Sequence, residues 1–510
     1  MAVWGPWETG GDDSESTQER RAATPFSSPD VSIRLPVVTS TNNDVNGSNE
    51  SGRDISNPKG AAGSGGWLSV DGVTSNGGGK NAAADAASRE KAESEEVIAS
   101  SRYFHGFLTH RDVDELLQET GDFLVRESNI WEETEMVLSV RTGGKDLKHF
   151  IIQMDYRGYV ALSGRLRYYT VQDLVRMLWE GTRETTYARL LLRPISRAPW
   201  EILERQQLTL ECGPLFKHEF LHRGWMKTAE TAGEEGTNDD EDDQVCWSLV
   251  AVKVCASIKT KSKQCFMREA SHMRHIQPHP NVQGFYGVAN YQDPLKLVLE
   301  PAEMYSVAGY LSRQPEDSVP VRQLLHFALD LCKGLEWISS KGVLHLGIAA
   351  SNCLVKVNRG ASSTRTNTSS PTNHQSLSVM VGNFEQSQIG AVFALKPKHK
   401  AALAPRWTAP ECLAPEEPEA TLKSDVWSFG VTLWEIFTQA LRPPYPAYTS
   451  DESFSLLVLQ RNERNQPPPH TPPPVADLMR KCWLMSEDHR PNFTECKLIL
   501  QGVYESMSEQ

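Results

Sequence analysis

The sequence predicts an α+β protein: two folded units behind a polar N-terminal tail. Three observations carry that prediction. Residues 1–100 hold no apolar period; residues 102–195 run helix, short strands, helix; residues 200–508 run strands first and helices later. A chain of 510 residues has room for two to four domains at roughly 150 residues each. Hydrophobic residues make up 39% and charged residues 23%, enough for packed cores.

Composition also excludes several function classes. A net charge of −13 argues against nucleic acid as a partner, because phosphate backbones are held by bulk positive charge. No run approaches the roughly 18 apolar residues that a membrane helix needs, so no integral membrane association is expected. The opening Met-Ala-Val-Trp predicts neither a secretory leader nor an N-myristoyl anchor. Nine cysteines are scattered singly from Cys212 to Cys496, the pattern of reduced thiols and a cytoplasmic protein.

Each element follows from its own pattern. Residues 1–100 are rich in Gly, Ser and Asn, in runs such as GAAGSGG and NGGGKNAAADAA, and predict a disordered tail. Trp4, Trp7 and Trp67 stand alone in it, as docking anchors or as isolated side chains. In the 102–195 unit Val113, Leu116 and Leu117 mark a helix face, and FLVRES, MVLSVRT and HFIIQM read as strands. Val171, Leu174, Val175 and Leu178 mark the second helix. The larger unit begins with strands such as SLVAVKVCA and turns helical beyond about residue 320. There Leu324, Leu325, Ala328, Cys332 and Leu335 set a helix over Val321–Ser340. Two polar tracts interrupt it as surface insertions: 228–244, with eight acidic and no basic residues, and 358–378.

The first chemical signal is Arg126, set in the apolar strand Phe123-Leu124-Val125-Arg126-Glu127-Ser128. A guanidinium drawn into such a strand needs an anionic partner. Either Glu127 supplies it on an edge strand, or a phosphate dianion does, gripped by two parallel hydrogen bonds. The surroundings favour phosphate. From Tyr103-Phe104-His105-Gly106 through the Arg strand to His149-Phe150-Ile151-Ile152-Gln153, residues 102–195 resemble an SH2 domain, an antiparallel sheet flanked by two helices. The resemblance implies that Arg126 grips the phosphate of a phosphotyrosine, that Ser128 lies on the phosphate loop, and that His149 packs on the tyrosine ring. The first-helix Arg of many SH2 domains aligns with His110, with Arg111 beside it, and either is a substitute.

Residues 200–508 resemble a bilobal protein kinase domain of the tyrosine-kinase type, on five motifs in order. Val250-Ala251-Val252-Lys253 delivers one ammonium from a buried strand, and Glu269 follows where it can pair with Lys253. Trp407-Thr408-Ala409-Pro410-Glu411, then Ser424-Asp425-Val426-Trp427-Ser428-Phe429-Gly430, then Arg490-Pro491 complete the frame, with Glu411 and Arg490 expected as an ion pair. Leu299 aligns with the gatekeeper, and Glu300, Pro301 and Ala302 with the hinge of an adenine slot. His279-Pro280-Asn281 and Asn352-Cys353-Leu354-Val355 make the Fes/Fer group of non-receptor tyrosine kinases the nearest likeness. Residues 1–100 are too short and polar for that group's membrane-curving coiled coil, so no membrane remodelling is expected of them.

The chemistry departs from that frame. Where the family reads His-Arg-Asp, this chain reads His345-Leu346-Gly347, so glycine holds the proton-acceptor position and no catalytic residue is expected there. The metal motif Asp-Phe-Gly reads Asn383-Phe384-Glu385. The glycine-rich loop aligns with residues 212–220, of which only Gly213 is a glycine. Residues 337–384 contain no Asp or Glu, and 383–411 contain no tyrosine for activation-loop phosphorylation. Lys253, Glu269, Asn352 and Asn383 remain as a degenerate ATP site, or as groups that fix a helix and a loop.

The sequence therefore reads as an SH2 pseudokinase that binds phosphotyrosine proteins and serves as a scaffold or allosteric partner, an active tyrosine kinase among its possible partners. No cofactor or metal is expected, and ATP without productive Mg²⁺ stays open. One alternative is an active non-receptor tyrosine kinase transferring the ATP γ-phosphate to protein tyrosine. A second is an ATP-binding switch without catalysis. Three lesser patterns are weighed too. His272, His275 and His279 lie at near-helical spacing, as a zinc site or a helix-to-turn stretch. Pro467–Pro474 offers a PxxP ligand or a plain loop, and the acidic tract a docking site or a solvated surface.

Overall fold

The computed structural model describes residues 101–507 apart from 131–132, 145, 155–159, 163–166, 181–190, 203–206, 215–219, 229–245, 359–375, 415 and 449–461. The tail expected over 1–100 lies outside the described residues, as do most of both insertions and the centre of the segment aligned with the glycine-rich loop.

The first unit runs β1 (Phe104–Phe107), α1 (His110–Leu116), β2 (Asp122–Ile130), β3 (Glu133–Gly143), β4 (Asp146–Ile151), β5 (Gln153–Met154), β6 (Val160–Ala161), α2 (Val171–Glu180) and β7 (Arg193–Pro194). Strands β2, β3 and β4 pair antiparallel, while the short β1 and β7 add to β2 in parallel. Period-two alternation decides which way β2 faces. Phe123 and Val125 join Leu138, Val140, Leu174 and Val175 in the core under α2. Leu124 points to the opposite side, into a core it shares with Val113 and Leu117. Helix α1 opens with a capping box: the Thr109 hydroxyl accepts from the Asp112 amide, and the Asp112 carboxylate accepts from the Thr109 amide.

The second unit begins with β8 (Leu208–Pro214), β9 (Leu221–Thr228), β10 (Cys246–Val254), α3 (Thr260–His275), β11 (Phe285–Ala289) and β12 (Lys296–Leu299). Its sheet is antiparallel in the order β11-β12-β10-β9-β8. In β10, Val250 and Val252 pack with Leu208 and Val298, which turns Ala251 and Lys253 toward α3 and the cleft. There follow α4 (Val307–Leu311), α5 (Val321–Ser340), β13 (Val343–Leu344), β14 (Cys353–Asn358), β15 (Ser376–Val381), β16 (Gln388–Ile389), β17 (Val392–Ala394), α6 (Pro397–Lys400), α7 (Pro410–Leu413), β18 (Glu419–Thr421), α8 (Leu422–Phe437), α9 (Pro473–Cys482) and α10 (Phe493–Ser506). Helix α5 has the bounds its periodicity predicts. Helix α8 is buried from Ser424 through Phe437, including the polar side chains of Ser424, Asp425, Ser428, Thr432 and Glu435.

The two units share a core. Phe107, Leu108, Val113 and Leu117 of the first unit belong to the same buried cluster as Phe266, Met273 and Leu297 of the second. Polar contacts fix the register. Asn290 Nδ2 donates to the carbonyls of His105 (2.8 Å) and Phe107 (3.0 Å), and the Phe107 amide returns a bond to the Asn290 carbonyl at 2.9 Å. Gly106 adopts φ +60°, and a Cβ there would overlap the Asn290 carbonyl, so both backbone and space demand glycine. Buried His105 Nδ1 lies 2.8 Å from Glu201 Oε1, and Arg274 of α3 reaches Asp112 and Glu115 while its guanidinium covers the Trp200 ring.

Candidate phosphate pocket and nucleotide cleft

Arg126 is 1% exposed on β2 and faces α1. Its Nη1 donates to the Leu108 carbonyl (2.6 Å) and its Nε to Ser139 Oγ (3.2 Å). Ser139 lies opposite His149 in the β3–β4 register, and its Oγ is 3.0 Å from His149 Nδ1. His149 Nε2 in turn lies 3.2 Å from His110 Nδ1, the two rings meeting edge to face. Burial, then the charges of Arg126 and His110, lower the His149 pKa to about 3. Ser128, two residues on from Arg126 and buried, stands on the same face. Arg126, Ser139, His149 and His110 thus form one chain of contacts. Arg111 is not part of it. It pairs with Glu115 on its own helix at 3.2 Å, and its charge acts on His272 of α3. Of the two first-helix candidates, only His110 reaches the pocket.

In the cleft, Lys253 Nζ donates to both Glu269 oxygens at 2.9 and 2.8 Å. Two groups from the segment after β15 join it: Asn383 Oδ1 at 3.4 Å and Glu385 Oε2 at 3.6 Å. Burial pulls the Lys253 pKa down, but the two carboxylates outweigh it and hold it above its ordinary value. Asn383 Nδ2 donates to Asn352 Oδ1 (3.1 Å), and Asn352 Nδ2 donates to the Gly347 carbonyl (2.6 Å). A Cβ built on Gly347 meets nothing closer than 3.6 Å, so space does not require glycine there. His345, fully buried, contacts the Gly382 carbonyl through Nε2 at 3.1 Å, and Phe384 packs over its ring.

The hinge side is tied up as well. Glu300 Oε1 pairs with Lys356 (3.0 Å), Oε2 accepts from the Gly284 amide (3.0 Å), and the Glu300 carbonyl accepts from Gln283 Nε2 (2.9 Å). Leu299 is buried at the end of β12, and Ala302 is half-buried just beyond it. Farther down, Arg490 and Glu411 make the expected ion pair in bidentate form, at 2.7 and 2.8 Å. The three histidines weighed for zinc go to separate partners. His272 Nδ1 bonds Ser387 Oγ, His275 Nε2 contacts the Lys341 carbonyl, and His279 stacks on Trp337.

Comparison with known proteins fits this geometry. The SH2 domain family matches residues 103–178. The family described as protein tyrosine and serine/threonine kinase matches residues 232–500, more than half of the chain. The chain belongs to that kinase family. Human tyrosine-protein kinase Fer is 29% identical over 413 residues, which cover 79% of this chain and 44% of Fer. Fer-related kinase 1 of Caenorhabditis elegans is 26% identical over 421 residues, 80% of this chain and 95% of that protein. Human tyrosine-protein kinase ABL2 is 27% identical over 425 residues, 80% of this chain and 32% of ABL2. The chain therefore spans less than half the length of Fer and ABL2. It carries an SH2 and a tyrosine kinase domain homologous to those of Fer-type non-receptor kinases. Among the described residues no helix is long and apolar enough to cross a membrane.

Within this kinase frame one residue escaped sequence reasoning. Glu385 bounds the acid-free run 337–384, and counting inward from it left it out. The available signal was its position: a carboxylate two residues after Asn383, beside the cleft ammonium, where the kinase motif has glycine.

Proposed function

We propose that this chain is a phosphotyrosine-binding SH2 pseudokinase, with the phosphotyrosine module at 102–195 and the kinase-like module at 200–508. It acts in the cytoplasm as a scaffold or allosteric regulator and transfers no phosphate itself. One observation carries this reading: the neutral amides of Asn383 and Asn352 bond to each other beside an ammonium. A divalent cation is held by hard, preferably anionic oxygens. Here the Asn383 oxygen already accepts from Lys253 and the Asn352 oxygen from an amide N–H, so these residues make a poor cradle for Mg²⁺. At the proton-acceptor position Gly347 has no side chain to take the hydroxyl proton. General-base and metal assistance each supply orders of magnitude in such reactions, so turnover without either is negligible.

On the SH2 side, Arg126 and His149 are fixed by Ser139 and the Leu108 carbonyl, a preformed cradle for a phosphate dianion. The partners of this reading are phosphotyrosine proteins, an active tyrosine kinase among them. Active tyrosine kinase is the second reading, favoured by the intact Lys253–Glu269 pair. Phosphate transfer from labelled ATP to a Glu/Tyr polymer, with Mg²⁺ and with Mn²⁺, separates the two. No signal above a Lys253→Met control is expected, and a clear Lys253-dependent signal sinks the pseudokinase reading. On the binding side, Arg126→Lys is expected to weaken phosphotyrosine-peptide binding about 10- to 100-fold, through loss of the planar fork. Unchanged binding by that variant overturns the pocket.

A further inference from the structure

The geometry points to Glu385 as the residue that sets what the cleft admits: a carboxylate seated where a nucleotide phosphate would compete for Lys253, so that the cleft disfavours nucleoside polyphosphates relative to uncharged nucleosides. This deepens the pseudokinase reading and rests on it.

An ammonium has three N–H donors. Around Lys253 Nζ stand four acceptor oxygens, two from Glu269 and one each from Asn383 and Glu385, at 2.8 to 3.6 Å. Among the described residues these acceptors already match or outnumber its donors, so a phosphate has to compete for the ammonium. The charge balance points the same way, with two carboxylates facing one ammonium. An arriving triphosphate must displace the Glu385 carboxylate and then remain beside it. To a cation that would offset their repulsion, Asn383 and Asn352 offer neutral amide oxygens already engaged with each other and with Lys253.

Two further facts locate the effect at this residue. Glu269 is 2% exposed and binds through both oxygens, so it is a fixed structural partner of the lysine. The Glu385 side chain is 58% exposed at the longer distance of 3.6 Å, the partner that can leave. The discrimination is therefore partly screened by solvent, a matter of tens of fold rather than an absolute block. An uncharged nucleoside brings no phosphate to Lys253 and is indifferent to residue 385.

The test measures affinity of the full chain for adenosine, ADP and ATP without metal, by calorimetry, for the wild type, Glu385→Gln and Glu385→Gly. In the wild type affinity is expected to fall with each added phosphate. Each variant is expected to bind ATP about tenfold tighter or more, with adenosine unchanged. Retained phosphotyrosine-peptide binding and an unchanged melting temperature certify that the variants are folded. The inference is overturned if wild-type ATP affinity equals or exceeds that for adenosine, or if both variants bind ATP no better than the wild type. Phosphate transfer by the wild type would instead remove the pseudokinase reading, so the two failures are distinct.

Discussion

At the scale of single residues, Gly347 is where the departure from the kinase motif is least dictated by the fold. Its nearest neighbours to an added Cβ are Asn352 Nδ2 and His345 Nδ1, each at 3.6 Å, an ordinary contact distance. Gly347→Asp is therefore expected to fold with a stability change under about 1 kcal/mol, read from denaturant midpoints. A loss of several kcal/mol would show that the loop has closed around the glycine. On the proposed reading, phosphate transfer is expected to stay undetectable in that variant, because residue 383 remains a neutral amide bonded to Asn352 and Lys253. The sequence made this position legible, along with Arg126, His149, Lys253 and Glu269, since each stands inside a motif of fixed spacing. It could not separate His110 from Arg111. Consecutive helical residues point about 100° apart, and only the packed position of α1 shows that His110 turns to the pocket while Arg111 turns toward α3.

At the scale of elements, α8 is the platform on which the catalytic loop is hung. Asp425 accepts from the amides of His345 (2.7 Å) and Leu346 (2.9 Å). Glu435, nearly three turns along, accepts from the Ala350 amide (2.9 Å) and Trp407 Nε1 (2.8 Å). Burial raises the Asp425 pKa to about 6 despite its two N–H donors. A carboxyl whose folded pKa lies above its unfolded value of 3.8 binds its proton more tightly when folded. The stability this contributes is full below about pH 3.8 and is lost as pH rises through 6, on the order of 3 kcal/mol in all. His345 runs the other way: burial lowers its pKa to about 4, so its contribution is lost as pH falls from 6.5 to 4. Comparing wild type with Asp425→Asn isolates the first effect, because His345 is present in both. The difference in unfolding free energy between them is expected to change steadily from pH 4 to pH 6, and a flat difference contradicts the assignment. The sequence marked α8 by its motif, but that two carboxylates on one helix hold separate stretches of loop is a tertiary fact no periodicity displays.

At the scale of the whole molecule, the sequence showed two folded units, and the structure shows that the largest buried cluster runs through both, beside a smaller core of each unit's own. Local periodicity reveals that Val113 and Leu117 form an apolar face, but not that residues of the kinase unit lie in the same cluster. The expected consequence is a single calorimetric unfolding transition for residues 101–507, and two well-separated transitions would argue against the shared core. Asn290→Ala removes both bonds to the His105 and Phe107 carbonyls and is expected to cost about 1–3 kcal/mol, with phosphopeptide affinity little changed. The stretch between Ile195 and Trp200 has a curious status in this light. A protease that nicked it would leave two fragments still clasped by Asn290, Arg274 and the apolar faces of α1 and α3, eluting together as a complex. The covalent tie there supplies high local concentration, and recognition between the halves is written in the surfaces themselves.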